Sequence, residues 1–471
     1  MKDEKGILSE ELRVYGDVRG AIGATPLVRL NKVGSDVACQ LFVKLEMLNP
    51  GGSVKDRIAF NIVETYEREG ILEPGGTVVE ATSGNTGVGL AIACALNGYQ
   101  SVFVMPDKMS QEKIDTLRAY GARVVVTPTA VEPDDPRSYY SVANRIVEET
   151  PGAVLANQYH NQANPESHYL TTGPEIWRQT QGRVTDIVAG MGTGGTITGI
   201  GRFLRDNDYP VKLVGVDPEG SLLYDAWKQG GNAEGLEAHT YKVEGIGEDF
   251  IPSTLDLSLV DEVIQVSDKE SFLWTRRMVR EEGIFCGGSS GSALAGAVKY
   301  ARDLDPDRLV VVILPDSGSR YLSKIFDDRW MEENGFLDRE PRKIPVGDIT
   351  GFQEIVTAKD DDLVGEVVER MRSYAISQLP VVNAKGELSG LVTELDLLNL
   401  LLEEGDAGKS PPTIAPVVRR DVLRASHGKT LGDIMPDLLK DQVVVLVDSQ
   451  GQPNGILTII DALAFLSTRE A

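Results

Sequence analysis

The chain has 471 residues, 41% of them hydrophobic, with 71 acidic against 47 basic side chains and a formal net charge of −24. That length suggests about two to four domains with ordinary cores, and so acidic a surface excludes general nucleic-acid binding, which needs a basic face toward phosphates. Three scattered cysteines (Cys39, Cys94, Cys286) and four histidines show no CxxC and no metal-ligand spacing, and no apolar run could span a bilayer, so no metal, no membrane contact and a cytoplasmic location are expected.

In chain order, the first segment that suggests chemistry is GGSVKDR at residues 51–57. Two glycines let a backbone approach a ligand closely. The lysine behind them, Lys55, falls at the start of a predicted helix, where the positive dipole end favours a free amine. Such an amine can form a Schiff base with an aldehyde cofactor; alone, the segment is equally a surface lysine at a helix start. Next comes TVVEA (77–81), read as a strand, then TSGNTG (82–87) and the apolar helix VGLAIACALNG. Hydroxyls, an amide and free N–H groups at a strand-to-helix junction can seat a small carboxylate, although an ordinary helix cap has the same composition. SVFVMP, QEKIDTLRAYG and ARVVVTP (101–128) continue as strand, helix, strand. This alternation predicts parallel sheets with crossover helices, and ligands then collect at the strand C-terminal ends.

The strand DIVAGM (186–191) leads into GTGGT, residues 192–196, and a further helix. Glycines ahead of a helix let several N–H groups converge on a phosphate. The Walker pattern GxxxxGK[ST] is absent here, which weakens a nucleotide triphosphatase reading. CGGSSGS (286–292) precedes a helix of small residues. There Ser289 can offer a neutral hydroxyl to a ring nitrogen, which suits β-replacement better than transamination, or it can simply cap the helix.

In this order, and with GATPLVRLNKV, NQYHNQANPESHY, EGIGEDFIP and LPDSGSRYLSKIFDDRWM beside them, these segments resemble the fold-type II pyridoxal-phosphate (PLP) enzymes of the β-replacement family. The resemblance is greatest to the cystathionine β-synthases, with the cysteine synthases as near relatives. It implies an α/β fold of two subdomains with parallel sheets and the cofactor in the cleft between them. By position, Lys55 is the implied Schiff-base lysine and Asn85 the partner of the cofactor 3′-oxygen. Gly192, Thr193, Gly194, Gly195 and Thr196 would cradle the phosphate, and Ser289 would face the pyridine nitrogen. Thr82, Ser83, Thr86 and Gln158 would hold the substrate carboxylate. Tyr159 and the turn from Gly245 to Gly247 would shape the second-substrate site. Glu248 stands where animal and yeast members have tyrosine, though some bacterial relatives share the glutamate. It could pair with the amino group of homocysteine or lie on the surface of a mobile loop.

The implied reaction joins L-serine and L-homocysteine to cystathionine and water; the alternatives are a cysteine synthase using O-acetylserine and sulfide, or a non-catalytic adenosyl-ligand sensor. Animal members carry haem on an N-terminal segment with cysteine and histidine ligands. Residues 1–20, read as a short leader, contain neither residue type, so no haem is expected. A homodimer or homotetramer is the implied assembly.

The catalytic domain is read as residues 21–337, and the polar, proline-containing stretch 338–346 as a linker. Beyond it, residues 347–471 hold an internal repeat. LPVVNAKGELSGLVTELDLL superposes on VVLVDSQGQPNGILTIIDAL at an offset of 65 residues, matching Gly386 to Gly451, Gly390 to Gly455, Thr393 to Thr458 and Asp396 to Asp461. Each unit reads as strand, glycine hairpin, strand, helix, and two such units would bury each other's apolar faces. The pair resembles the tandem α+β CBS-domain (Bateman) regulatory module. That resemblance implies an adenosyl ligand, S-adenosylmethionine (AdoMet) first, whose ribose is held by Thr458 and Asp461, with Thr393 and Asp396 as a second site. The bland alternative is that both aspartates only cap helices.

Overall fold

The computed structural model describes residues 14–337, apart from 83, 108, 110, 129, 130 and 132–134, and residues 343–467, apart from 351–354, 404–411 and 442. Ser83, the first thirteen residues of the expected leader and residues 338–342 of the expected linker therefore lie outside the described residues. The chain divides after Leu337 into two compact units.

The first unit contains ten strands: β1 Leu27–Arg29, β2 Gln40–Leu45, β3 Thr77–Ala81, β4 Gln100–Pro106, β5 Arg123–Thr127, β6 Ala153–Leu155, β7 Asp186–Gly190, β8 Lys212–Pro218, β9 Glu262–Val266 and β10 Leu309–Leu314. They form a four-stranded sheet, β5-β4-β3-β6, and a six-stranded sheet, β1-β2-β10-β7-β8-β9. All neighbours are parallel except the edge pair β1 and β2, where Val28 faces Val43. Parallel strands covered on both faces read as continuous apolar runs rather than alternating ones. LVVVIL of β10 is buried at every position, and β4 is buried after its first residue. The predicted alternation of strand, helix and strand is thus borne out, with the three-residue β1 as an antiparallel addition.

Helix Lys55–Arg68 is held by a buried charge cluster. The Arg57 guanidinium donates to Glu46 through Nε at 2.7 Å and Nη2 at 2.9 Å, and to both oxygens of Glu175 at 2.9 and 2.8 Å. Lys44 Nζ donates to Glu175 at 2.8 Å, to Gln179 at 2.9 Å and to the Thr25 carbonyl at 2.7 Å. Two cations face two anions, so the cluster is neutral and its polar atoms are paired, the condition under which buried charges are tolerated. Burial works against the Glu46 charge, but the Arg57 guanidinium outweighs it and holds the carboxyl below its usual range.

The second unit repeats one motif. Its strands are β11 Ala358–Lys359, β12 Gln378–Val382, β13 Leu388–Thr393, β14 Arg424–Ala425, β15 Val443–Val447 and β16 Pro453–Thr458, in two sheets ordered β11-β12-β13 and β14-β15-β16. The repeat seen in the sequence persists in the register: Val381 pairs Gly390, Leu446 pairs Gly455, and each hairpin shifts register one residue later. Gly386 and Gly451 turn the two hairpins at φ of 83° and 78°, a region that disfavours any side chain. Helices Glu394–Glu403 and Ile459–Ser467 follow. Leu388 and Leu391 pack with Val445 of the other repeat, so the halves do share a core.

Removing one partner of a buried ion cluster leaves uncompensated charge. Arg57→Met is expected to lower the stability of the first unit by about 3–5 kcal/mol. The four tryptophans (Trp177, Trp227, Trp274, Trp330) all lie in that unit, so urea denaturation followed by tryptophan fluorescence reads it directly. An unchanged midpoint would refute the role given to this cluster.

Candidate active site

A cavity of about 840 Å³ opens at the C-terminal ends of both sheets of the first unit. Its wall takes Thr82, Asn85 and Thr86 from beyond β3, Lys113 from beyond β4, Gln158 and Tyr159 from beyond β6, Gly192, Thr193, Gly194 and Thr196 from beyond β7, and Arg320 from beyond β10, while Gly195 does not line it. Lys55 and Ser289 complete it.

Four helices begin at this cavity: Lys55–Arg68, Asn85–Asn97, Gly195–Asp206 and Gly288–Ala301. Their N-cap residues are Val54, Gly84, Gly194 and Gly287. None of these has a side chain that can accept a hydrogen bond; Ser53 Oγ takes the Lys55 N–H at 3.3 Å on the first helix, and on the other three first-turn N–H groups are left to other acceptors. Three helices elsewhere in the unit are capped by side chains, since Ser267 forms a capping box and Ser138 and Asp327 accept from their helices, whereas Ala163–Leu170, Thr172–Gln179 and Leu223–Lys228 have no side-chain cap at the N-cap position. Four positive helix ends therefore face one cavity in a protein of strongly negative charge, a local arrangement suited to anions.

Lys55 is the first residue of its helix, as predicted. The preceding turn is tight: Gly52 has φ 77°, and a Cβ on Gly51 would lie 2.5 Å from Asp56 Oδ1. Asp56 accepts from the Gly51 N–H at 2.5 Å and Arg320 donates to the Gly51 carbonyl at 2.5 Å. Enclosure by protein pushes the Lys55 amine below the usual lysine range, against the opposing pull of Asp316 and Glu248. A neutral lysine amine is the state needed for nucleophilic and general-base chemistry.

Three of the four residues expected at a carboxylate seat, Thr82, Thr86 and Gln158, lie together at the wall. Thr86 Oγ1 donates to Gln158 Oε1 at 2.5 Å, and Thr82, Thr86 and Gln158 are all buried at the wall. Glu80, at the end of β3, ties the two contributing loops together by accepting from the N–H groups of Asn157 at 2.7 Å and Gln158 at 3.3 Å. Ser289 is buried at the wall beside its helix start. Asn85 donates to Asp316 at 2.9 Å, and Tyr321 donates to the same carboxylate oxygen at 2.8 Å.

Glu248 lines the cavity, which favours the binding role over the surface-loop alternative. Burial, then the neighbouring Asp249, pushes its carboxyl up to about 8, with a hydrogen bond to Tyr159 and the Lys55 charge acting in the other direction. The turn before it uses φ of 88° at Gly245 and 76° at Gly247, and Tyr159 packs edge-on against Phe250 at 5.3 Å.

Sequence reasoning missed several residues of this site. Asp316 and Arg320 sit in LPDSGSR just beyond β10, where an acidic residue after a buried strand was the available signal. Lys113 and Lys324 both pair with Glu244 at the rim, the latter at 2.7 Å. No local spacing announces that triad, because its members come from three distant segments.

The Thr-x-x-Asp elements belong to the second unit. In each, the aspartate accepts from the threonine N–H and hydroxyl: 2.9 and 2.7 Å for Thr393 and Asp396, 2.8 and 2.5 Å for Thr458 and Asp461. Both therefore cap helices. They differ in their second oxygen. Arg419 donates to Asp396 Oδ1 at 3.0 and 2.8 Å, whereas among the described residues Asp461 shows the cap bonds alone.

The residues present fit a cofactor carrying an aldehyde and a phosphate. An amine depleted of hydration shares a cavity with a glycine-rich helix start, and Arg320 Nη1 at the wall has no hydrogen-bond partner among the described residues. Among the described residues no cluster of potential metal ligands occurs and no helix is long and apolar enough to cross a membrane.

Comparison with known proteins agrees. The family model described as pyridoxal-phosphate dependent enzyme matches residues 18–316, and that of the CBS domain matches residues 346–403. A cystathionine beta-synthase of Oryctolagus cuniculus is 40% identical over 485 residues, covering 98% of this chain and 87% of that protein. A cysteine synthase of Staphylococcus aureus is 44% identical over 65% of this chain and 96% of its own length. The crystal structure of O-ureido-L-serine synthase superposes with a TM-score of 0.61 at 35% identity, covering 68% of this chain and 99% of that one. The chain belongs to the cystathionine β-synthase family of pyridoxal-phosphate dependent β-replacement enzymes.

Proposed function

We propose that this enzyme condenses L-serine with L-homocysteine to form cystathionine, and that an adenosyl ligand at its second unit regulates it. The observation that carries the catalytic reading is the meeting of Lys55, three further helix starts with glycine N-caps and Glu248 at one cavity. Bound PLP supplies an aldehyde carbon for an amine and a ring that accepts the electron pair left at the α-carbon.

The chain's own residues then have distinct tasks. Gly192, Thr193, Gly194, Gly195 and Thr196 hold the phosphate with N–H groups and hydroxyls. Asn85, fixed by Asp316, meets the ring oxygen, and Ser289 meets the ring nitrogen without charging it. Thr82, Thr86 and Gln158 hold the serine carboxylate. The amine of Lys55 removes the proton from the α-carbon, gives it to the departing β-oxygen, takes up the proton of the incoming thiol, and returns that proton to the α-carbon once the sulfur has added. Tyr159, Gly245 and Gly247 form the wall beside the incoming thiol, and Glu248 pairs with its ammonium group.

The second reading is cysteine synthesis from O-acetylserine and sulfide, supported by the relative named cysteine synthase. Sulfide has no ammonium group for Glu248 to meet, so a carboxylate in that position favours an amino-acid thiol. Purified enzyme given L-serine and L-homocysteine should form cystathionine. Glu248→Gln should raise KM for homocysteine about tenfold, equivalent to ~1.4 kcal/mol of lost binding, with KM for serine unchanged. Product only from O-acetylserine and sulfide would overturn the reading in favour of the second.

In the regulatory unit, Arg419 already neutralises Asp396, which leaves Thr458 and Asp461 as the better ribose site. Calorimetric titration of the full chain with AdoMet should give binding that Asp461→Asn abolishes and Asp396→Asn spares. The reverse pattern, or no binding to the unaltered protein, would defeat this assignment.

A further inference from the structure

Helix Ala163–Leu170 packs against helix Gly195–Asp206 at unusually close range. A Cβ on Gly195 would lie 1.8 Å from Asn164 Oδ1, and one on Gly199 would lie 2.1 Å from the Pro165 carbonyl oxygen and 2.6 Å from His168 Cβ. The two glycines are four residues apart on one face, as are Asn164 and His168 on the other. Side chains at that spacing share a helix face, so the glycine pair brings this polar pair against the loop 192–196. Asn164 Nδ2 donates to Thr193 Oγ1 at 3.2 Å and to the Gln158 carbonyl at 2.8 Å. His168 Nε2 lies 3.1 Å from Thr196 Oγ1, and its Nδ1 lies 2.8 Å from Thr172 Oγ1. Asn164, His168 and Thr172 are all buried, while Thr193 and Thr196 line the cavity.

We propose that Asn164 and His168 are positioning residues that donate hydrogen bonds to the oxygens of Thr193 and Thr196, turning both hydroxyl protons toward a bound phosphate. A hydroxyl has one proton to give. If its oxygen accepts from the protein, the proton is free for an anion; if it donates to the protein, the phosphate meets a lone pair instead. Asn164 is a donor at this contact by its amide nitrogen. For His168 the choice lies in the tautomer, and a neutral imidazole has one donor and one acceptor nitrogen. Burial, and next the Arg57 charge, hold the ring neutral by pushing its pKa down to about 3. With the proton on Nε2, the ring donates to Thr196 and Nδ1 accepts from the Thr172 hydroxyl. Both loop hydroxyls then act as donors, which a phosphate dianion requires. This inference rests on the reading of residues 192–196 as the phosphate cradle.

The test is a double-mutant cycle on PLP affinity, measured by titrating PLP into the full-length protein after its removal with hydroxylamine. Thr196→Val and His168→Asn should each weaken binding by about tenfold, the range of one lost charge-assisted hydrogen bond. Because His168 acts through the Thr196 hydroxyl, the double variant should bind no more weakly than Thr196→Val alone. His168→Gln, whose amide nitrogen reaches the Nε2 position, should recover most of the affinity. Nitrogen-15 NMR of the unaltered protein should place the His168 proton on Nε2. Unchanged affinity in Thr196→Val would remove the cradle reading itself. Additive losses in the double variant, or a proton on Nδ1, would overturn the positioning role while leaving the cradle intact.

Discussion

The constraint on which the rest of the structure depends is the convergence of four helix N-termini on one cavity, three of them with glycine at the N-cap and no side-chain cap. A protein with a net charge of −24 cannot hold an anionic cofactor by its overall field. It can do so by aiming peptide N–H groups and helix dipoles at one place, and by leaving those groups uncommitted. Glycine at three of the four N-cap positions achieves both ends, since it offers no competing acceptor and lets the ligand approach the backbone. Each glycine cap sacrifices only about a few tenths of a kcal/mol of helix stability in the empty state relative to a serine or aspartate. Ligand binding to the folded state recovers stability by mass action, so occupancy and fold stability are linked at this site.

Holding those helix ends in place falls to charge and packing beyond the cavity. Arg57 sits two residues after Lys55 and ties their helix to Glu46 and to Glu175. Glu80 joins the loop that follows β3 to the loop that follows β6. Gly195 and Gly199 let a neighbouring helix support the loop 192–196 from behind. These residues touch no reacting atom in this account, yet they fix the geometry on which the lysine, the phosphate seat and the carboxylate seat depend.

Much of this was legible in the sequence because the cavity is built from contiguous strand-loop-helix segments. GGSVKDR, TSGNTG, GTGGT and GGSSGS each bring their own glycines, and each does begin a helix at the cavity. The doubled hairpin of the second unit was equally visible, since a constant offset of 65 survives as matching register and matching positive-φ glycines. What escaped was long-range pairing. Arg57 and Glu175 are 118 residues apart, Asn85 and Asp316 are 231 apart, and nothing local marks one as the partner of the other. The antiparallel edge strand β1 also escaped, because three residues carry no usable period. Arg419 was missed as the counter-ion of Asp396 for the same reason as Arg57: a sequence separation of 23 hides the contact.

The central claim is that Lys55 is the amine that meets the cofactor. The most direct measurement is borohydride reduction of the PLP-loaded protein, followed by proteolysis and mass mapping of the pyridoxyl label. The label is predicted on Lys55. A label on Lys113 or Lys324 at the rim, or none on any lysine despite bound PLP, would contradict the account.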